Sequence, residues 1–336
     1  MKQKTARISA VHKDQFSIIG EHGEINAELT GKLAYLTASS LDFPVVGDMI
    51  HVQYLNQNTL AIIQDVLPRK SILKRKAAGK ITDYQTMAAN IDTGFIMQSL
   101  DRDFNLNRLE RYLVMLIECR IEPIILLSKS DLMTEPEIRK QIKSIVERLP
   151  NLQIIAFSNY TKSGLAEIKD LLQKDQTYCL LGSSGVGKTT LINYLIGEEK
   201  YTVREVREKD SRGKHTTSRR QLLLLQNGAY LIDTPGMREL GQIEIETGLR
   251  DTFEDIALLA LKCKFADCTH TNESGCAVQK SLTEGILSEK QYLNYIKLKK
   301  ESTYNKMTYL EKRTKDKEFG KMVKRVMKDK TKYQKK

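Results

Sequence analysis

The sequence predicts a multidomain chain: an N-terminal small β-barrel of the oligonucleotide-binding type (OB-like), a central doubly wound α/β domain, and a C-terminal, mostly helical domain. Three observations carry that reading. Five short strand-like runs crowd into the first sixty-odd residues, strands and helices then alternate around a glycine-rich loop, and beyond Gly241 the pattern turns helical around a cluster of cysteines and a histidine. The implied divisions are a barrel at 1–68, a basic linker at 69–89, the α/β domain at 90–241 and the helical domain with its basic tail at 242–336.

The barrel strands are Ala6–Val11, Gln15–Ile19, Ile25–Leu29, Met49–Tyr54 and Leu60–Val66. Turn signals at Gly20, Gly23, Gly31, Gly47-Asp48 and Asn56-Gln57-Asn58 separate them. A five-stranded barrel of this length is most often OB-like, although periodicity alone does not distinguish it from another small barrel. Leu67-Pro68 closes the unit. Arg69, Lys70, Lys74, Arg75, Lys76 and Lys80 follow with no acidic residue before Asp83, which suits either a phosphate-facing linker or a solvated loop.

The α/β pattern begins with a strand at Thr93–Gln98. Asn105 is placed to cap a helix with an apolar stripe at Leu106, Leu109, Leu113 and Leu116-Ile117. Ile121–Leu127 reads as a buried parallel strand, Ile138–Leu149 as a helix, Gln153–Phe157 as a strand and Leu165–Leu172 as a helix. Two more strands, Leu222–Leu225 and Ala229–Ile232, come after the glycine loop and its helix.

The glycine loop is Gly182-Ser183-Ser184-Gly185-Val186-Gly187-Lys188-Thr189, followed by Thr190. It lies between an apolar strand, Tyr178–Leu181, and a helix with Leu191, Ile192, Leu195 and Ile196 on one side. Glycines let the backbone fold over a phosphate so that several N–H groups point inward at the positive end of a helix. At this spacing Lys188 reaches the β- and γ-phosphates and the Thr189 hydroxyl binds Mg²⁺. Asp233-Thr234-Pro235-Gly236 ends a later strand, where an acid supports Mg²⁺ through water and the Gly236 N–H approaches the γ-phosphate. Ser128-Lys129-Ser130-Asp131 also ends a strand. A carboxylate fixed there accepts from the N1–H and exocyclic amine of guanine, whereas adenine would face it with a lone pair. Phe157-Ser158-Asn159 ends the next strand and offers a backbone N–H to the O6 of the base.

The order is base reading (Ser128–Asp131, Ser158), then glycine loop, then Gly213-Lys214-His215-Thr216-Thr217, then Asp233–Gly236. Ordinary GTPases begin with the glycine loop and end with the base. This order resembles the circularly permuted P-loop GTPases, and with its flanking domains the whole chain is similar to the small ribosomal subunit-dependent GTPase A family. The resemblance implies an OB-type barrel, a permuted GTPase and a C-terminal zinc domain. It also implies GTP hydrolysis, slow alone and stimulated by the small (30S) ribosomal subunit, coupled to late maturation of that subunit. Its rRNA would be met by the barrel, the zinc domain and the tail. The rivals are an RNA-associated guanine-nucleotide-binding module with negligible hydrolysis, and a paralogue acting on another RNA or a protein.

Two positions depart from the general GTPase pattern. Ser128 stands where Asn or Thr is usual, which weakens an expected contact to the guanine edge. Met237 follows Gly236, where many GTPases place a water-orienting glutamine. The catalytic candidates are therefore Lys188, with Thr216 or Thr217 completing the Mg²⁺ and γ-phosphate shell, and His215, which either positions water or serves as a loop residue or RNA contact.

Cys263-x4-Cys268-x-His270-x5-Cys276 supplies three thiolates and an imidazole, a closed set suited to one structural Zn²⁺. Reduced thiols in a loop are the alternative. Cys119 and Cys179 fall in helix-like and strand-like patterns, as small buried hydrophobes do. Of the formal net charge of +12, residues 291–336 hold an excess of +11, from 16 Lys and Arg against 5 Asp and Glu. That concentration fits a polyanion such as rRNA or, more blandly, a solvated helix. No apolar run nears the roughly 18 residues of a membrane span, and Met1-Lys2-Gln3-Lys4-Thr5-Ala6-Arg7 leads into no signal-like apolar block. The expectation is a cytoplasmic monomer that does not engage membranes.

Overall fold

The computed structural model describes residues 4–12, 15–31, 33, 42–76, 84–197, 221–233, 245–308, 310–315, 317, 321, 323 and 327. Thirteen strands and eight helices are assigned among them. The barrel strands are β1 (Lys4–Val11), β2 (Phe16–Gly20), β3 (Gly23–Leu29), β4 (Met49–Leu55) and β5 (Leu60–Val66). Their order is β1-β2-β3-β5-β4, and an antiparallel β1–β4 pairing closes the ring. β3 and β5 run parallel while the other neighbours are antiparallel, an OB-like closure that removes exposed strand edges. Alternation sends Ile8, Phe16, Ile18, Ile50 and Ile63 into the interior. Each such fully buried side chain contributes about 1.5–3 kcal/mol.

The segment expected as a basic linker instead contains an antiparallel pair, β6 (Ile72–Lys76) and β7 (Tyr84–Ala89). Leu73, Met87 and Ala88 are fully buried in the main core. The surrounding lysines and arginines hide this short apolar signal in the sequence.

The α/β sheet consists of β8 (Thr93–Ser99), β9 (Glu122–Ser128), β10 (Gln153–Ala156), β11 (Thr177–Gly182), β12 (Gln221–Leu224) and β13 (Tyr230–Asp233). Their spatial order is β10-β9-β8-β11-β13-β12, all parallel except β12, which is antiparallel to β13 and on its other side meets barrel strand β1. Both faces are covered, which explains why the strands read as continuous apolar runs. Phe95, Met97, Leu126 and Leu180 fill one face, and Ile96, Ile125, Leu127 and Leu181 the other.

The helices are α1 (Leu106–Glu118), α2 (Glu135–Arg148), α3 (Leu165–Asp170), α4 (Lys188–Ile196), α5 (Glu246–Thr252), α6 (Glu254–Ala260), α7 (Ala277–Thr283) and α8 (Glu289–Lys306). The Asn105 side chain caps α1, accepting from Arg108 N at 3.2 Å, and Gln98 at the end of β8 clamps the Asn105 backbone with two 2.8 Å bonds. Thr134 starts α2, its N–H and hydroxyl donating to Glu137 at 2.8 and 2.7 Å. The C-terminal helices share the core of the α/β domain: Leu249, Phe253, Val278 and Leu298 join Leu113 and Leu116 of α1.

The barrel is fastened at the starts of β11 and β13. Buried Arg7 donates to Gly47 O (3.2 Å), Asn90 O (3.1 Å) and Thr177 Oγ1 (2.6 Å), and its guanidinium lies 4.7 Å from the Tyr230 ring centroid. Arg69 grips fully buried Asp48 through Nε and Nη2 at 2.7 and 2.8 Å.

Candidate nucleotide site and Cys/His cluster

Parallel pairing brings the strand-end motifs to one edge of the sheet. In register, Ser99 lies opposite Ser128, Leu127 opposite Ala156, Met97 opposite Gly182, and Cys179 opposite Ile232. The chain runs outward from β8 through β9 to β10 on one side, and from β11 towards β13 on the other. The switch point is therefore the β8–β11 boundary, and α/β sheets bind ligands outside the carboxyl ends of strands at such a point.

The glycine loop leaves β11 there and enters α4. Gly187 adopts φ +92°, a left-handed conformation that favours glycine, and a Cβ on it would also displace the Asn159 amide, whose Nδ2 would lie 2.6 Å away. Lys188 folds back over the loop and donates from Nζ to Gly182 O (2.8 Å) and Ser183 O (2.7 Å). The loop is thus closed into a cradle with the ammonium on its rim, which fits the phosphates of a nucleotide with its Mg²⁺.

The base-reading motif is bonded directly to that cradle. Buried Ser128 donates from Oγ to Val186 O at 2.7 Å, with Gln98 O at 3.3 Å. Its hydroxyl therefore braces the glycine loop and is not directed at a base edge. Lys129, in the left-handed region at φ +60°, pairs with Asp101 Oδ2 at 2.8 Å. Burial works to raise the Asp101 carboxyl, but bonds from Lys129, the Asp103 N–H and Ser99 outweigh it and hold the carboxyl below its ordinary range. Ser130 N donates to Phe157 O at 3.1 Å. Asp131 is exposed and accepts from the Ser158 hydroxyl, which itself accepts from the Tyr160 and Thr161 N–H groups at 3.1 Å.

The Ser158 N–H is taken by Ser163 O at 3.0 Å and that of Phe157 by Leu127 O at 2.8 Å. Among the described residues the Asn159 N–H has no acceptor and is the donor left in that stretch. Asn159 also reaches Gly187 O from Nδ2 at 3.2 Å, while its buried Oδ1 has no partner among the described residues.

The four C-terminal donors converge, with their ligand atoms within 4.8 Å of one another. His270 Nδ1 lies 3.6 Å from Cys263 Sγ and 3.7 Å from Cys276 Sγ, and the two sulfurs are 3.9 Å apart. Metal–sulfur and metal–nitrogen bonds of about 2.3 and 2.0 Å in a tetrahedron require separations of roughly 3.8 and 3.6 Å. The donor set therefore fits a four-coordinate metal. Burial, then Lys299, lowers the His270 pKa and favours the neutral, ligating imidazole. Around it, Gln279 Nε2 and Tyr292 OH donate to His270 O at 2.6 and 2.8 Å, and Gln279 N meets Cys276 Sγ at 3.4 Å. Cys119 and Cys179 stand apart, buried, with thiols pushed up to about 11 and about 12.

A family model described as RsgA GTPase matches residues 66–243. The chain is 39% identical over 98% of its length to a "Small ribosomal subunit biogenesis GTPase RsgA 2" of Vibrio parahaemolyticus, covering 88% of that relative.

The chain belongs to the RsgA GTPase family.

A second family member, RsgA 2 of Lactiplantibacillus plantarum, is 42% identical, with 90% of this chain and 84% of that one covered. In fold the chain is similar to YjeQ from Thermotoga maritima, at TM-score 0.65 and 24% identity over 90% of this chain and 99% of that one. It is likewise similar to YloQ, described as a circularly permuted GTPase, at TM-score 0.64 and 21% identity over 91% and 96%.

As an RsgA GTPase, the chain places Ser128–Asp131, Ser158–Asn159 and Gly182–Thr190 around one switch point. The backbone of Asp233 ends β13 on the same edge. Gly236, Met237 and the segment with His215, Thr216 and Thr217 lie outside the described residues. Sequence reasoning missed Asp101, Asp103 and Arg108, which flank the α1 cap; Arg108 bonds both to Asp103 and to the Ser183 hydroxyl of the glycine loop. The loop from β8 to α1 carries no recognisable spacing, and the only hint was its position at a strand end. No helix among the described residues is long and apolar enough to cross a membrane.

Proposed function

We propose that this chain hydrolyses GTP on the small ribosomal subunit and couples hydrolysis to late maturation of that subunit. The observation that carries the proposal is the meeting of the two motifs at the β8–β11 switch point, with Ser128 of the base motif bonded to Val186 of the glycine loop. The relatives' names supply the partner: they are described as small ribosomal subunit biogenesis GTPases.

In this reading Asp131 accepts from the N1–H and amine of guanine, and the Asn159 N–H meets O6. Lys129 lies against the base, Lys188 and the loop N–H groups hold the phosphates, and Thr189 and Asp233 hold Mg²⁺. Mg²⁺, when bound, neutralises charge developing on the phosphates. His215, Thr216 and Thr217 belong to the same proposal as the segment that orders around the γ-phosphate and water. Cys263, Cys268, His270 and Cys276 hold one Zn²⁺, which cross-links the loop between α6 and α7. The divisions at 68, 89 and 241, a cytoplasmic location, a monomeric state and rRNA contacts by barrel, zinc region and basic tail complete the proposal.

Met237 favours one rival, an RNA-associated module that holds GTP with negligible hydrolysis. Phosphate release measured with and without purified small subunits separates the two. Stimulation of tenfold or more is expected, and an unchanged rate with bound nucleotide supports the rival. Salt-dependent co-sedimentation with small subunits tests the partner itself, and absence of binding at low salt points to a paralogue with another target.

A further inference from the structure

The base-reading and phosphate-reading motifs are joined by a second route, through a loop that belongs to neither. Lys129 Nζ pairs with Asp101 Oδ2 at 2.8 Å. Asp101 Oδ1 accepts from Ser99 Oγ (2.8 Å) and from the Asp103 N–H (2.9 Å). The Asp103 carboxylate grips Arg108 with both oxygens, at 2.6 and 2.9 Å. Arg108 Nη1 then donates to Ser183 Oγ, and the carbonyl of that same Ser183 accepts Lys188 Nζ at 2.7 Å. One unbroken polar chain therefore runs from the lysine of the base motif to the lysine of the phosphate loop.

Stability does not account for this arrangement. The Asp103 carboxylate is 54% exposed and Arg108 is 25% exposed, and exposed ion pairs contribute little to folding. What the pair does supply is direction. A guanidinium held in a bidentate fork has its remaining N–H groups fixed in its plane, and here one of them is presented to Ser183. The same geometry places a permanent positive charge beside the loop.

We propose that Arg108 is a positioning residue for the phosphate loop and that, with Asp101 and Asp103, it couples base recognition at Lys129 to the setting of Ser183 and Lys188. A nucleotide that fixes Lys129 against its base steadies Asp101, and through it the fork that holds the loop. Loss of either end loosens the other. The inference rests on the guanine-nucleotide reading above and adds a residue and a coupling to it.

The test is a double-mutant cycle on GDP binding by the full chain, read by equilibrium dialysis for the unaltered protein, Arg108→Met, Lys129→Met and the double variant. Each single change should weaken binding about tenfold. The double should weaken it at least threefold less than the product of the singles, because either change already interrupts the same chain. Ser183→Ala, which removes only the hydroxyl, should reproduce most of the Arg108→Met loss and add little to it. In GTP hydrolysis Arg108→Met should raise KM while kcat stays within twofold, and Arg108→Lys should not restore KM. Effects that multiply, an unaltered GDP affinity in Arg108→Met, or full rescue by lysine would overturn the inference while leaving the nucleotide reading intact. Failure of the unaltered chain to retain GDP would overturn both.

Discussion

Arg7 carries the sharpest prediction about how the barrel is held. Arg7→Met keeps most of the apolar stem and removes three hydrogen bonds, one within the barrel to Gly47 and two that reach out of it to Asn90 and Thr177. Gly47 O retains a second donor, Asn90 Nδ2 at 3.0 Å, so its loss is small. Asn90 O and Thr177 Oγ1 lose the partner they share on Nη2. Leaving a buried acceptor unpaired costs about 1–3 kcal/mol, and the contact over Tyr230 contributes about 1 kcal/mol more. Against this stands the desolvation that Arg7 no longer undergoes. Burial lowers its pKa, opposed by Tyr230, Asp92 and Asp48, so the site is not wholly comfortable with the charge. The net expectation is a loss of about 3 kcal/mol, in line with breaking a buried charged network from one side.

Urea unfolding followed by far-ultraviolet circular dichroism measures it, and a transition that splits in two would show the barrel parting from the sheet before the rest unfolds. Arg7→Lys keeps the charge but can satisfy fewer of these acceptors, so it should recover roughly half the loss. If Arg7→Met unfolds within about 0.5 kcal/mol of the unaltered chain, the junction is not held by this side chain and the account of the barrel's attachment fails.

Three further expectations follow from the site. Ser128→Ala removes the hydroxyl bonded to Val186 O and should cost about 1–1.5 kcal/mol, seen as a five- to tenfold weaker GDP affinity; an unchanged dissociation constant would mean the bond does not set the loop. Purified chain should contain one zinc per molecule by atomic absorption, and chelation should raise amide exchange through residues 263–283 while exchange in β8 and β9 stays put. Glu273 accepts from the N–H groups of Thr269, Thr271 and Asn272, and its pKa is held at about 2, chiefly by the Thr269 hydroxyl. Because the folded value is depressed, the stabilisation is fully present above the unfolded value near 4.5 and is lost as pH falls from there towards 2. Carboxyl carbon shifts titrated by NMR read the value directly, and a Glu273 midpoint above 4 would refute the turn geometry.

Much of this molecule is legible in its sequence where local chemistry and long-range structure agree. The glycine loop, the serine and aspartate at strand ends, and the three cysteines with His270 each declare themselves through spacing, because their function needs a particular backbone beneath them. The β6–β7 pair did not, since Ile72-Leu73 runs straight into Lys74-Arg75-Lys76, Met87 stands in a short uncharged stretch with no clear alternation, and only tertiary contact reveals that Leu73 and Met87 are core. The role of Ser128 was half visible: its departure from Asn or Thr was plain, but that its hydroxyl is spent on Val186 depends on a contact 58 residues away in sequence. Arg108 and Asp103 were invisible for the same reason. Each is one charge in a chain that is 29% charged, and nothing before folding marks which pair will meet Ser183.

The permuted order also decides where the two flanking regions can attach. Cutting the α/β domain ahead of β8 puts the barrel's exit near Asn90 and Asp92, at the starts of the strands. There Asp92 accepts the Thr177 N–H at 2.8 Å. That end of the sheet is opposite the glycine loop. The C-terminal helices, entering after β13, pack instead on α1. Gly248 donates to Glu118 at 2.9 Å, Arg111 grips Glu301 at 2.7 and 2.9 Å, and Asn294 donates to buried Glu110, which Arg148 also holds. The first turn of α1 is where Arg108 reaches Ser183. The side-chain anchors of the barrel thus lie at the starts of the strands, while its β1 also meets β12 at Gln221, opposite Asp233 on the nucleotide edge; the C-terminal helices rest on an element whose other end touches the phosphate loop. Among the described residues both flanking regions therefore have a bonded path towards the site where a γ-phosphate would come and go: the barrel through the backbone pairing of Ala10 with Gln221 and of Gln221 with Asp233, the C-terminal helices through α1 and Arg108.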